Sequence, residues 1–260
     1  MSTQTITVRG AGIFGLSVAW ALRARGARVR VVDPNGPGAG ASGGVLGALA
    51  PHVPERWNAK KAFQFDSLIL AEALWAEIAE VSGLDPGYGR IGRLQPIPDA
   101  AALALAQQRA LTAEHLWQGR YHWRVIQAAD APIASPTGFY VHDDLSARLQ
   151  PRRAIAALVE ALRRRGVPVV AEAAADGPEV WATGAAGLSD LSNAVGQPVG
   201  TAVKGQAALL AADLSGPQLF VDALHIVPHG NRQVAVGSTT ERDAADPTRT
   251  DGTLDALIDR

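Results

Sequence analysis

The chain has 260 residues with 24 basic and 25 acidic side chains, a formal net charge of -1, and that balance argues against a broad basic face for nucleic acid. Cysteine is absent, which excludes disulfide frameworks, thiolate metal sites, cysteine nucleophiles and a flavin tethered through sulfur. Hydrophobic residues make up 47%, ample for the core of one large domain or two small ones. No apolar run approaches the ~18 residues of a membrane span. The N-terminus MSTQTITVRG lacks the basic-then-apolar pattern of a signal peptide. A soluble, cytoplasmic protein is therefore the expectation.

Thr5 to Val8 alternates and ends on a β-branched residue, predicting a strand, and a glycine cluster follows at once. Ile13 to Ala24 carries helical spacing through Ile13, Leu16, Val18, Ala19 and Leu22, with Arg23 and Arg25 in the last turn and Gly26 as the stop. Residues 27–33 (ARVRVVD) read as a second strand. Together these make a βαβ unit whose strands should be parallel. Residues 34–47 (PNGPGAGASGGVLG) are too rich in Gly, Pro and Ser for a long element and are expected as a loop.

Helical spacing returns from Lys60 to Val81, Ile91 to Ile97 reads as a strand, and Asp99 is placed to cap an Ala-rich helix over 100–116. Residues 117–148 are mixed, with a turn at Ser135-Pro136-Thr137-Gly138. Pro151 starts a further helix that stops at Gly166. Val167 to Val170 and Glu179 to Thr183 are short strands, and Leu209–Leu210, Leu224–Val227 and Gln233–Gly237 are strands of an antiparallel sheet. Asp251 caps a last helix whose Leu254, Leu257 and Ile258 are expected to lack a downstream partner.

The densest signal is Gly10-Ala11-Gly12-Ile13-Phe14-Gly15, a G-x-G-x-x-G that follows a strand, opens a helix and is followed by Asp33, 18 residues beyond Gly15. Gly10 permits the tight turn, Gly12 lets backbone approach a pyrophosphate, and Gly15 lets helix and strand pack closely. The pyrophosphate then meets free N–H groups at the positive end of the helix. The Asp33 carboxylate is suited to ribose hydroxyls. The competing reading is an ordinary βαβ turn with an incidental acid. A nicotinamide enzyme would run on into further βα repeats. Here a Gly-rich loop, GAGASGGVLG over 38–47, follows instead.

The stretch TITVRGAGIFGLSVAWALRARGARVRVVD with GASGGVLGALAP resembles the FAD-dependent amino-acid oxidase family that includes glycine oxidase, D-amino acid oxidase and sarcosine oxidase. The likeness continues through EVWATGAAG at 179–187, VKGQ at 203–206, HIVPH at 225–229 and VGST at 236–239. It is greatest to glycine-oxidase-like members. The resemblance implies an α/β chain, α+β overall, with a Rossmann-like βαβ FAD-binding domain and an inserted antiparallel-sheet substrate domain. The FAD-binding domain would take residues 1–85 and 145–200, the substrate domain 86–144 and 201–250, and 251–260 would begin an interrupted helix.

Carried over by position, the resemblance places Gly10, Gly12, Ile13, Phe14 and Gly15 at the FAD pyrophosphate and Asp33 and Pro34 at the adenosine ribose. Ala41, Ser42, Gly43, Gly44 and Val45 would lie along the ribityl chain and flavin edge, Ala175 by the adenine, and Gly184 near the pyrophosphate. The implied FAD is noncovalent. The implied partner is a small amino-acid or amine substrate of the glycine, sarcosine or D-amino acid type, oxidised at its C–N bond by hydride transfer to flavin. Homo- and hetero-oligomers both stay open.

Three departures accompany the likeness. His225 stands where the family pattern has a Tyr over the substrate, and His229 replaces the Arg after Val-Pro. His225 is either a substrate-side group or a half-buried strand residue, and His229 is expected on a turn surface. The span from Gly166 to Gly184 is too short for the family's β-meander. The family's C-terminal G-[LV]-R-P segment, whose Arg grips the substrate carboxylate, does not occur in these residues. That leaves a second reading: a truncated or subunit-type chain that binds FAD without turnover.

His52, after the Leu-Ala-Pro element, is a second substrate-side candidate or a plain loop histidine. Asp143-Asp144 reads as a solvated turn. Trp117, Tyr121 and Trp123 read as a satellite core. The remaining histidines are too dispersed for a metal site, and Ser42 and Ser238 lack the partners of a hydrolase triad.

Overall fold

The computed structural model describes residues 4–242, 246 and 248–259. In chain order its elements are β1 (Ile6–Arg9), α1 (Ile13–Ala24), β2 (Val29–Val32), β3 (Ala48–Leu49), α2 (Ala59–Ser82), β4 (Arg93–Pro96) and α3 (Ala100–Leu116). There follow β5 (Trp123–Gln127), β6 (Phe139–Asp143), β7 (Ala147–Arg148), α4 (Pro151–Arg164), β8 (Val169–Val170) and β9 (Glu179–Trp181). The chain closes with α5 (Leu188–Val195), β10 (Ala207–Ala211), β11 (Gln218–Val221), β12 (Leu224–Gly230), β13 (Gln233–Gly237) and α6 (Gly252–Ile258).

Helix ends sit where the capping chemistry places them. The Asp99 carboxylate accepts the Ala102 N–H at 2.8 Å, and Asn58 accepts the Lys61 N–H at 3.1 Å. Pro151 opens α4, where its missing donor costs nothing, and Gly83 ends α2 in the left-handed conformation.

β1, β2, β8 and β9 form a four-stranded sheet in the order β8-β2-β1-β9, every pairing parallel. Alternation along β1 and β2 turns Val8, Val29 and Val31 toward α1 and α4, where Leu16, Ala19, Leu158, Ala161 and Leu162 complete a buried core. Each fully buried Leu there contributes about 1.5–3 kcal/mol. Residues 171–178 alone join β8 to β9 across the opposite face, with Arg30 of β2 donating to the Ala174 carbonyl at 2.6 Å.

The second sheet runs β10-β13-β12-β11-β4-β6-β5 and is antiparallel except between β11 and β4. Its two tight hairpins turn through Asp222–Ala223 and Asn231–Arg232, all four at positive φ. Such turns match the twist of the flanking strands. α2 and α3 cover its β5–β6 end through Phe65, Leu68, Ala106, Trp117, Trp123 and Leu145. The Trp117–Tyr121–Trp123 group is thus part of a core. β1, β2, β8 and β9 fall within residues 1–85 and 145–200, and all seven strands of this sheet within 86–144 and 201–250.

Two sequence expectations are corrected. Asp143 is wholly buried and ion-paired with Arg93 at 2.9 Å, not a solvated turn. His229 is 4% exposed on β12, not a turn surface. On α6, Leu257 is buried against the rest of the chain while Ile258 is exposed; Arg260 lies outside the described residues. β5, β6, β11 and α5, unresolved by residue pattern alone, are additional elements.

Candidate functional site

The Gly10–Gly15 turn joins the end of β1 to α1. Gly10 adopts φ +106°, and a Cβ there would lie 2.2 Å from the Ala182 carbonyl oxygen beyond β9. A Cβ on Gly15 would lie 1.9 Å from the Gly10 carbonyl oxygen. Both glycines are therefore demanded by close backbone packing. Gly12 differs, because a Cβ there would meet only the Ser42 side chain, at 3.1 Å. The Ile13 N–H donates to Ser42 Oγ at 3.0 Å. The Gly12, Phe14 and Gly15 N–H groups have no hydrogen-bond partner among the described residues. The turn thus leaves several donors open at the positive end of α1. The Phe14 side chain itself is 80% exposed.

Asp33 follows β2 and serves the same turn. One carboxylate oxygen accepts the Ala11 N–H at 2.8 Å and the other the Asn35 N–H at 3.0 Å. Each oxygen retains a further lone pair, so the side chain shapes the turn and still has acceptor capacity. Beside it, Arg9, Val32, Pro34, Ala171, Glu172, Ala173 and Ala174 line an open groove of about 550 Å³. Ala175 is the exposed residue just past that lining. Arg9 reaches across to Glu179 on β9, its Nε donating at 2.6 Å. Gly184, at φ +59°, opens the one-turn helix of residues 185–187 after β9.

The Gly-rich loop is anchored from four directions. Residues 41–43 form a single 3-10 turn. Ser42 takes the Ile13 N–H, and Arg152 of α4 donates to the Gly43 carbonyl at 2.7 Å. His229 Nε2 donates to the Val45 carbonyl at 2.9 Å. Leu46 packs against the second sheet, 3.3 Å from where a Gly237 Cβ would stand. The loop therefore runs from the α1 N-terminus onto the face of the second sheet, past Gly44 and Val45.

That sheet face carries His225. Its ring lies 4.7 Å from the Phe220 ring, and Nδ1 is buried without a partner among the described residues. Burial, aided by the Arg93 charge, pushes the His225 imidazole down to about 4. It is therefore neutral at ordinary pH, able to donate through one nitrogen and accept through the other. Burial also lowers the His229 imidazole, against the opposing pull of the Val45 carbonyl. His52 stands elsewhere, with its N–H donating to Gln64 Oε1 of α2 at 2.7 Å and its Nδ1 against the same oxygen. No hydrogen bond or ring contact joins His52 to His225 among the described residues.

The VKGQ segment holds α6. Lys204 Nζ lies 2.9 Å from Asp251 and 3.4 Å from Glu241, and Gln206 Nε2 donates to both acids. Hydrogen bonds from Gln206 and Lys204 hold the Asp251 carboxyl below the usual carboxylate range, and those from the Thr239 hydroxyl and then Gln206 do the same for Glu241. The Asp251 bond pushes the Lys204 ammonium up. Among the described residues no group of three or more His, Asp or Glu could hold a metal ion, and no helix is long and apolar enough to cross a membrane.

Residue reasoning missed Arg93, Asp143 and Phe220 and misplaced His229. The one available signal was a charged residue inside the apolar run IGRLQPI. The pairing that neutralises Arg93 lies 50 residues away in the chain.

The family model DAO, FAD dependent oxidoreductase, matches residues 5–260. No curated protein matches the chain in sequence. Among solved structures, glycine oxidase from Geobacillus kaustophilus superposes with TM-score 0.79 at 19% identity, covering 98% of this chain and 76% of that one. Iminodiacetate oxidase from Chelativorans sp. BNC1 gives TM-score 0.79 at 20% identity, over 97% of this chain and 76% of that one. L-amino acid deaminase from Proteus vulgaris gives 0.74 at 17% identity, over 91% and 62%. At these identities the likeness is one of fold.

Proposed function

The chain belongs to the DAO family of FAD-dependent oxidoreductases, and on that premise we propose that it holds FAD noncovalently and oxidises the C–N bond of a small amino acid or amine. The observation that carries this reading is the turn at Gly12. It is a cradle without a Cβ, with open N–H groups at the start of α1, continuous with a loop that leads onto the face bearing His225. A dinucleotide fits this donor set. Gly10, Gly12, Ile13, Phe14, Gly15 and Gly184 would hold the pyrophosphate, and Asp33 and Pro34 the ribose. The groove beside Pro34 and the backbone near Ala175 would take the adenine. Ala41, Ser42, Gly43, Gly44 and Val45 would flank the ribityl chain and ring. The absence of cysteine supports noncovalent attachment. In domain terms, residues 1–85 and 145–200 serve the cofactor and residues 86–144 and 201–250 the substrate.

Bound FAD supplies the two-electron acceptor for the hydride on the carbon beside the amine. The chain's part is position and electrostatics. The second sheet presents its β11–β13 face to the loop, and the neutral His225 offers a substrate one donor and one acceptor without adding charge. An amine that binds unprotonated needs no strong general base. Glycine, sarcosine, iminodiacetate and D-amino acids are the substrates to try first. The test is anaerobic addition of each to the FAD-loaded protein. Bleaching of the flavin by one of them is the expected result. A flavin that stays bound and oxidised throughout the panel would instead favour a chain that holds FAD without turnover.

A further inference from the structure

The face that carries His225 continues across the second sheet to a charged residue of different character. Register places Trp123, Asp143, Arg93 and Gln218 side by side on β5, β6, β4 and β11. Two residues further along β11, Phe220 pairs with His225, which pairs with Gly237. Alternation therefore sends Arg93, Phe220 and His225 to one face. The Arg93 guanidinium carbon lies 5.9 Å from the Trp123 ring centre and 5.7 Å from that of Phe220. Phe220 is in turn 4.7 Å from His225. At the far end of this row Leu46 of the Gly-rich loop meets Gly237.

The Arg93 side chain is only 7% exposed, and its Nε donates to Asp143 at 2.9 Å. Asp143 also accepts the Ser146 N–H at 2.8 Å. The two terminal nitrogens of Arg93 have no partner among the described residues. Unlike the buried atoms without a partner, these nitrogens reach the open face of the sheet, so four of the five guanidinium donors are free for water or a ligand. Donors displayed on an otherwise buried, ion-paired side chain offer a fixed site for an acceptor that displaces water. The planar pair of terminal nitrogens matches a carboxylate in shape.

We propose that Arg93 is a specificity-determining residue that takes a carboxylate of the substrate on the β4–β11 side of the His225 face. This rests on the reading of that face as the substrate side. Asp143 already balances the guanidinium charge, so selectivity comes from directed hydrogen bonds more than from net attraction. β4 and β12 are two strands apart, about 10 Å between backbones. The carboxylate at Arg93 is therefore held some bonds away from the atoms that His225 touches.

The test uses the full chain after incubation with FAD, titrated with propionate and with its neutral isostere propionamide. Binding is followed by tryptophan fluorescence, which Trp123 makes sensitive to this site, and separately by the flavin spectrum. Propionate is expected to bind at least tenfold more tightly than propionamide. Arg93→Met is expected to weaken propionate about 10- to 100-fold, and Arg93→Lys by less. Because Arg93→Met strands Asp143, the double variant Arg93→Met/Asp143→Asn keeps the acceptor for Ser146 without a buried unpaired charge. It is expected to melt close to the wild type and still lose propionate. Propionate binding to that folded double variant with wild-type affinity, or equal binding of propionamide by the wild type, would overturn the proposal. Fluorescence reports carboxylate binding whether or not flavin is retained, so failure of FAD binding and failure of the Arg93 site are separately visible.

Discussion

Replacing Gly12 by alanine separates cofactor holding from folding. Gly12 has φ -80° and ψ -179°, an ordinary extended conformation. A Cβ there meets only Ser42, Oγ at 3.1 Å and Cβ at 3.9 Å. A rotatable hydroxyl can yield by a few tenths of an ångström, and loss of glycine's unfolded-state freedom returns about 0.4–1 kcal/mol. Stability should thus change by less than about 1 kcal/mol. The new methyl nevertheless stands beside the open Gly12 and Phe14 N–H groups. A pyrophosphate displaced from two such donors loses about 1.5 kcal/mol for each, or roughly 100-fold in Kd for FAD. Gly15→Ala is the contrasting case. Its Cβ would lie 1.9 Å from the Gly10 carbonyl oxygen, a backbone clash that no rotamer relieves, and should cost about 3 kcal/mol or more in stability. Urea denaturation of the apoprotein and quenching of FAD fluorescence measure the two quantities independently. Gly12→Ala binding FAD within about threefold of wild type, or Gly15→Ala unfolding at the wild-type midpoint, would refute the reasoning.

Two further outcomes follow from the histidines. His229→Leu removes the donor to the Val45 carbonyl and should cost about 1–3 kcal/mol while weakening FAD. His229→Gln, which can still donate, should recover most of both, and equal losses in the two variants would show that the hydrogen bond is not the cause. His225 is pushed down to about 4 by burial and then by Arg93, whereas an unfolded imidazole titrates near 6.5. Between those values the unfolded chain binds the extra proton, so stability falls as pH falls. Allowing for solvent screening of this partly exposed ring, the loss should be about 1–2 kcal/mol. His225→Gln should flatten that slope between pH 7 and 4.5 in urea titrations, and an unchanged slope would contradict the assignment.

The first sheet and its glycine turn were legible because local chemistry determines them. Glycines mark the turn, Asp99 and Pro151 mark helix starts, and the period changes from two to 3.6 at Ile13. The second sheet was less so. β5 and β6 mix aromatic with charged residues, and β11 has only four residues. Pro228-His229-Gly230 carries turn-forming residues, yet His229 is buried because a partner carbonyl waits 184 residues away. Asp143-Asp144 likewise looks solvated until Arg93 is placed opposite. Long-range pairing of polar groups leaves no periodic trace, and that is where the second sheet departs from its sequence reading.

The central expectation is that this chain holds FAD without a covalent bond. Incubation of the purified protein with FAD, removal of free flavin by gel filtration and a visible spectrum test it directly, with denaturation afterwards. Flavin absorbance in about equimolar amount should travel with the folded protein and be released intact on unfolding. Protein that emerges colourless, or flavin that stays with the unfolded chain, would contradict the account.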